Sequence, residues 1–197
     1  MGAFLINQPK CVFIHIPKTA GSSIRNGIFK GDVNGPVFST LPKDWEQYFS
    51  FTFVRNPYDR MVSAWKMFSD GMLNSKWAYH NKPPLVGISF FDFLQIAIDS
   101  SIDHDSRNNI ESVLRHHTLP QVHPYHCFEY TKFIGKFENL ENDFQVIADK
   151  IGLKSFNLVH FNRTNRKSYK EYYTDETYNI VSKYYKEDLL KFDYSFD

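Results

Sequence analysis

The chain has 197 residues, 42% of them hydrophobic and 23% charged, a balance that excludes a disordered chain and leaves room for one well-filled core rather than two. A formal net charge of +1 argues against bulk electrostatic binding to nucleic acid or to a membrane surface, so any anion site has to be local. Cys11 and Cys127 supply neither a disulfide framework nor a zinc spacing, and no stretch approaches the ~18 consecutive apolar residues of a membrane span.

Residues 10–16, Lys-Cys-Val-Phe-Ile-His-Ile, are apolar and β-branched and predict a buried strand, which places Cys11 in the core. Pro17 ends it, and Lys18, Thr19, Ala20, Gly21, Ser22 and Ser23 lead into a helix over 22–29. A second buried strand is expected over 48–54, stopped by Asn56-Pro57, with a helix over 58–69 carrying Met61, Trp65 and Phe68 at helical spacing. Residues 70–87 hold Gly71, Asn74, Asn81, Pro83 and Pro84 and read as a loop, after which Ser89 caps a helix through Phe91, Phe93, Leu94 and Ile98. Cys127 falls in a loop-like stretch and stays open. A third strand is expected over 132–137, then a helix over 140–151 that Gly152 ends. The tail has a basic, polar stretch over 162–170, and Thr174 caps a last helix carrying Tyr178, Val181 and Tyr185. Phe and Tyr are abundant, 19 and 12; most read as core and a minority as rings that stack on a base or a sugar.

Strands alternating with helices predict an α/β fold, a parallel sheet covered by helices in a single domain over 1–197. Ligands of such sheets bind beyond the carboxyl ends of the strands. Two of the expected strands end in candidate chemical motifs. The first, Phe13-Ile-His-Ile-Pro-Lys-Thr-Ala-Gly-Ser-Ser-Ile24, reads as strand, tight loop and helix start. Backbone N–H groups at a helix start suit a phosphate, Gly21 allows close approach, Thr19, Ser22 and Ser23 add hydroxyls, and Lys18 adds charge. It is not a Walker A loop, because Lys18 precedes the glycine.

The second motif is Val54-Arg-Asn-Pro-Tyr-Asp-Arg-Met-Val-Ser-Ala-Trp65. Arg55 leaves the strand with a fork suited to phosphate, and Ser63 follows on the helix. By itself, such an arginine is more often half of a structural ion pair, here with Asp59.

Together these motifs resemble the sulfotransferases that use 3′-phosphoadenosine 5′-phosphosulfate, the carbohydrate and bacterial branch in particular. Residues 15–23 are similar to that family's 5′-phosphosulfate loop and residues 53–63 to its 3′-phosphate motif. Lys132-Phe-Ile-Gly-Lys-Phe-Glu-Asn-Leu-Glu-Asn-Asp143 matches a third motif, and Asn162 and the aromatic tail are similar as well. The resemblance covers most of the chain in the expected order. It implies a P-loop-NTPase-like three-layer α/β/α fold with a central parallel sheet. It also implies sulfuryl transfer from that nucleotide to a hydroxyl, of a carbohydrate first of all, with no metal required. Carried over residue by residue, Pro17, Lys18, Thr19, Ala20, Gly21, Ser22 and Ser23 would hold the 5′-phosphosulfate. Arg55 and Ser63 would hold the 3′-phosphate, and Lys18 would also neutralise the departing phosphate. A later basic loop adds Arg163, Arg166, Lys167 and Ser168, whose other reading is a solvated loop.

The resemblance breaks at the base. Phe38 stands where related sequences often have a histidine, so the base lies elsewhere or activity is lost. His117, in His-Thr-Leu-Pro-Gln, resembles a His-x-x-Pro-Gln element of carbohydrate sulfotransferases and is the first candidate. His123 is the second and His15, beside the loop, the third. Trp77, Tyr79 and His80 are possible sugar platforms. A non-catalytic nucleotide- or glycan-binding protein of the same fold is the main rival reading. A P-loop kinase would need a Walker A and an acidic metal ligand that the sequence lacks. The N-terminus shows no signal-peptide pattern, which points to a soluble, cytoplasmic protein, or alternatively to a Golgi-lumen catalytic domain without its anchor.

Overall fold

Among the described residues, five strands, β1 (Ala3–Ile6), β2 (Cys11–Ile14), β3 (Val33–Val37), β4 (Phe49–Val54) and β5 (Phe133–Lys136), form one sheet in the order β3-β1-β2-β4-β5. Six α-helices among the described residues accompany them: α1 (Pro57–Ser69), α2 (Phe90–Ile98), α3 (Ile110–Thr118), α4 (Leu140–Ile151), α5 (Asp175–Tyr184) and α6 (Lys186–Phe192). The computed structural model describes residues 2–37, 45–71, 85–106, 109–158 and 167–197. Phe38, Trp77, Tyr79, His80, Arg163 and Arg166 lie outside the described residues.

The sheet is mixed, which corrects the expectation of a purely parallel one. β2, β4 and β5 run parallel, with Phe13 opposite Phe51 and Phe51 opposite Phe133. β1 pairs antiparallel with both β2 and β3. A tight turn joins β1 to β2, so this pair needs no crossover helix. The chain divides into two compact units, Met1–Arg55 with Gln121–Asn165, and Asn56–Pro120 with Arg166–Asp197.

In the first unit, alternation along the strands sorts side chains to two faces. Phe4, Phe13, Phe51 and Phe53 share one face with Phe144 and Ile147 of α4, and Ala3, Val12 and Ile14 share the other with Trp45 and Tyr48. The rings of Phe13 and Phe51 stack at 5.2 Å, and those of Phe53 and Phe144 at 6.5 Å. α4 keeps its expected bounds, and Gly152 ends it at φ +71, a left-handed position that glycine takes without strain.

The second unit is helical. Asn56 caps α1 by accepting from the Tyr58 N–H, with Pro57 in the first turn, Ser89 caps α2, and Thr174 with Thr177 forms a reciprocal box at α5. Their buried faces, among them Met61, Phe68, Phe93, Leu94, Val113, Leu114 and Val181, make one core. α3 and α6 were not anticipated. The polar half of α3, Arg-His-His-Thr, masks the i, i+3, i+4 spacing of Ile110, Val113 and Leu114, which carries its burial. The C-terminal tail straps this unit: Asn56 Nδ2 donates to the Ser195 carbonyl at 2.8 Å, and the Phe196 ring meets Tyr58 edge-on at 4.9 Å.

Candidate functional site

The turn after β2 is strained, and the strain is visible residue by residue. Lys18 and Ala20 sit at φ +71 and +70, flanking Thr19. Neither has a glycine's freedom, and each such residue costs about 1–3 kcal/mol unless its surroundings hold it. Alternation of this kind turns successive backbone N–H groups toward one side and makes a concavity suited to an anion.

Among the contacts that hold the turn are three from Thr19, His15 and Arg55. Thr19 is buried, and its Oγ1 donates to the Ile16 carbonyl at 2.8 Å. Its hydroxyl hydrogen therefore braces the loop. Gly21 lies against the His15 imidazole, so a Cβ there would fall 2.0 Å from His15 Nε2. The need for glycine at this position is thus explained by His15, before any ligand is considered. His15 is itself buried, its ring 6.0 Å from Phe4 and 5.7 Å from Phe13. The third contact comes from Arg55, whose Nη1 donates to the Lys18 carbonyl at 3.1 Å.

The segment after the turn is a π-helix, Ser23–Ile28, rather than the expected α-helix over 22–29. Gly27 inside it is a poor helix former, and wide π turns recur at functional sites. Arg25, which sequence reasoning passed over, donates from Nε to the Gly21 carbonyl at 3.3 Å, with its guanidinium 4.7 Å from the Phe4 ring centroid. Burial lowers its pKa.

Arg55 follows β4 and is buried, with its guanidinium 4.0 Å from the Phe137 ring centroid. Phe137 belongs to the third motif, in which Gly135 and Asp143 have local contacts of their own. A Cβ on Gly135 would fall 2.4 Å from the Phe53 ring, and Asp143 Oδ2 accepts the Lys136 N–H at 2.6 Å. Gln121 grips the Arg55 backbone: its Oε1 accepts the Arg55 N–H at 2.8 Å and its Nε2 donates to the Arg55 carbonyl at 2.9 Å. β2 and β4 are parallel neighbours, so both turns leave the same end of the sheet.

In the second unit, Ser63 is half-buried on α1. Arg60, from the same motif, is 1% exposed, and its guanidinium donates to the His117 and Leu119 carbonyls and to the Tyr185 hydroxyl. Tyr185 in turn donates to the Thr118 carbonyl at 2.6 Å. This pair caps the C-terminus of α3, whose last carbonyls have no partner within the helix. His117 Nδ1 lies 2.8 Å from the Val113 carbonyl, and its ring meets Phe68 edge-on. Since a carbonyl can only accept, Nδ1 carries the hydrogen and the basic lone pair is at Nε2.

His123, in the first unit, has the opposite tautomer. Its Nδ1 accepts the Tyr125 N–H at 3.2 Å, so the hydrogen of the neutral ring is on Nε2. Lys167 forms an exposed ion pair with Glu171 at 3.3 Å, and Ser168 is exposed beside it. Such a pair contributes little to stability. Among the described residues, no group of three or more His, Cys, Asp and Glu is placed to hold a metal, and no helix is long and apolar enough to cross a membrane.

The fold so described is a mixed α/β sheet with a strained, lysine-bearing turn at the end of its parallel strands. The family model described as the sulfotransferase family matches residues 2–195, and the chain belongs to that family. No curated protein and no solved structure matches the chain significantly.

Proposed function

We propose that this protein transfers a sulfuryl group from 3′-phosphoadenosine 5′-phosphosulfate to a hydroxyl, that of a carbohydrate first of all. The reading rests chiefly on one observation, the bond from Arg55 to the Lys18 carbonyl, which brings the two phosphate-type motifs to one turn. The groups named there, N–H, hydroxyl, ammonium and guanidinium, suit a donor with several negative charges.

When bound, the donor supplies a sulfuryl group in a reactive phosphate–sulfate anhydride. The N–H groups of Ala20, Gly21, Ser22 and Ser23 and the hydroxyls of Ser22 and Ser23 hold the 5′ end, while Pro17 and Thr19 shape the turn. The Lys18 ammonium stabilises the charge that develops as the phosphate departs. Arg55 and Ser63 hold the 3′-phosphate, with Lys167 and Ser168 as lesser contributors. The acceptor hydroxyl must lose a proton, and His117 Nε2 takes it, since the bond to Val113 leaves that nitrogen basic. His123 and His15 are the less suited candidates: one carries its hydrogen on Nε2, and the other is packed beneath Gly21.

Titration of the full chain with adenosine 3′,5′-bisphosphate, followed by labelled donor and a panel of glycans and small alcohols, tests this. Saturable binding that Lys18→Ala weakens, with label transferred to a hydroxyl, is the expected result. No binding of the bisphosphate overturns the donor assignment, and binding without transfer to any acceptor favours a non-catalytic nucleotide-binding protein.

A further inference from the structure

We propose that Gln121 is a positioning residue for Arg55: its side-chain amide extends the β4 ladder by one residue and thereby aims the guanidinium at the Lys18 turn. The ligand arm of this inference rests on the donor reading above, whereas the positioning itself does not.

The sheet pairing of β4 with β5 ends at Val54 opposite Lys136. Arg55 comes next and is buried, so its N–H and carbonyl need partners other than bulk water. Two residues on, Pro57 has no N–H, so a strand could not continue. Gln121 supplies what a neighbouring strand would have supplied. Its Oε1 and Nε2 bond the N–H and the carbonyl of the same residue, at 2.8 and 2.9 Å, as in a hydrogen-bonded antiparallel pair. A primary amide carries a donor and an acceptor side by side in one planar group without titrating, and asparagine is one methylene shorter.

Gln121 is fully buried, so nothing competes for its amide from bulk solvent. Fixing both backbone groups of Arg55 fixes the direction of its Cα–Cβ bond. The side chain then reaches Lys18 and Phe137 in the geometry observed, 3.1 Å to the carbonyl and 4.0 Å to the ring centroid. A residue that only filled space would leave that direction to the guanidinium contacts alone.

The test uses the full chain and Gln121→Met, which keeps the length and apolar stem while removing both bonds. Amide hydrogen exchange at Arg55 is expected to rise at least ~10-fold, as a lost buried bond of this kind implies, with Phe51 and Phe53 still protected in mid-strand. Unchanged exchange at Arg55 overturns the inference. Should the methionine variant not fold, Gln121→Leu, which also removes both bonds, is expected to show the same rise, and no rise overturns the proposal equally.

In the ligand arm, the preference for adenosine 3′,5′-bisphosphate over adenosine 5′-monophosphate is expected to fall about 10-fold in Gln121→Met. A purely structural role would weaken both nucleotides alike, and an unchanged ratio shows that the amide does not act through Arg55. If the wild type itself does not distinguish the two nucleotides, the donor assignment fails and the exchange measurement alone decides the positioning role.

Discussion

Arg55 Nη1 donates to the Lys18 carbonyl across 3.1 Å, tying the residue after β4 to the left-handed turn after β2. The bond runs both ways in consequence. It orients the guanidinium, and it helps to hold a backbone conformation that lysine rarely adopts.

Arg55→Lys separates charge from geometry. Lysine keeps the positive charge but loses the fork and the flat stacking surface over Phe137. The expected outcome is a fall of about 10- to 100-fold in affinity for adenosine 3′,5′-bisphosphate, in line with charge-assisted bonds of ~1.5–3 kcal/mol. Calorimetric titration reads this directly. Affinity equal to wild type would show that the fork is not used.

Gly21 and His15 make a second pair whose coupling can be measured. A methyl at position 21 meets His15 Nε2 at 2.0 Å, and the neighbours Phe4 and Phe13 leave the ring little room to yield. Gly21→Ala is therefore expected to cost about 1–3 kcal/mol in urea unfolding, the range for an overpacked site. Adding His15→Ala should recover part of that loss, because the clash goes with the ring. A double variant no more stable than the sum of the singles would show that the glycine serves something other than this contact.

The parts legible in the sequence are those whose signal is local. β2 and β4 are continuous apolar runs, and Ser89, Thr174 and Gly152 are terminus residues with one plain meaning each. β1 is only four residues long, and β3 reads Val-Asn-Gly-Pro-Val, whose proline and glycine are tolerated only because it lies at the sheet edge. At the site, the Lys18 turn and Arg55 stood out as motifs, but what each residue does there depends on distant partners. Thr19 reads as a ligand hydroxyl in the sequence, whereas its hydroxyl hydrogen goes to the Ile16 carbonyl. Arg60 lies in the same motif as Arg55, yet it is spent on the carbonyls of α3. Gln121 bonds a residue 66 positions away, and no spacing rule reaches that far.

His117 is where the proposed chemistry meets a definite tautomer. With Nδ1 donating to Val113, replacement by alanine removes the Nε2 lone pair and leaves the Lys18 turn untouched in composition. The expected result is bisphosphate affinity unchanged and turnover lowered at least ~100-fold, the low end for loss of a general base. Near-normal turnover removes His117 from the mechanism. Arg60→Met offers a finer reading, since loss of the α3 cap should lower turnover without abolishing nucleotide binding.

The last expectation concerns alkaline stability. Burial pushes the Cys11 thiol up from 9.0 to about 12, and Cys127 is raised as well, by burial first and then by Glu129. Tyr185, Tyr173 and Tyr184 are raised from 10.0, mainly by burial. All are neutral when protonated, so the fold resists their ionisation more than the unfolded chain does. Their contribution is complete below the unfolded values and is lost as pH rises toward the folded ones. The thiols act first, from pH 9 upward, and the tyrosines follow from pH 10. Urea midpoints measured across this range should begin to fall above pH 9. In Cys11→Ala the protein starts out less stable, because a buried sulfur is gone, but the decline between pH 9 and 10 should be shallower. An equal slope in both proteins would mean that the thiol of β2 is not the group being titrated.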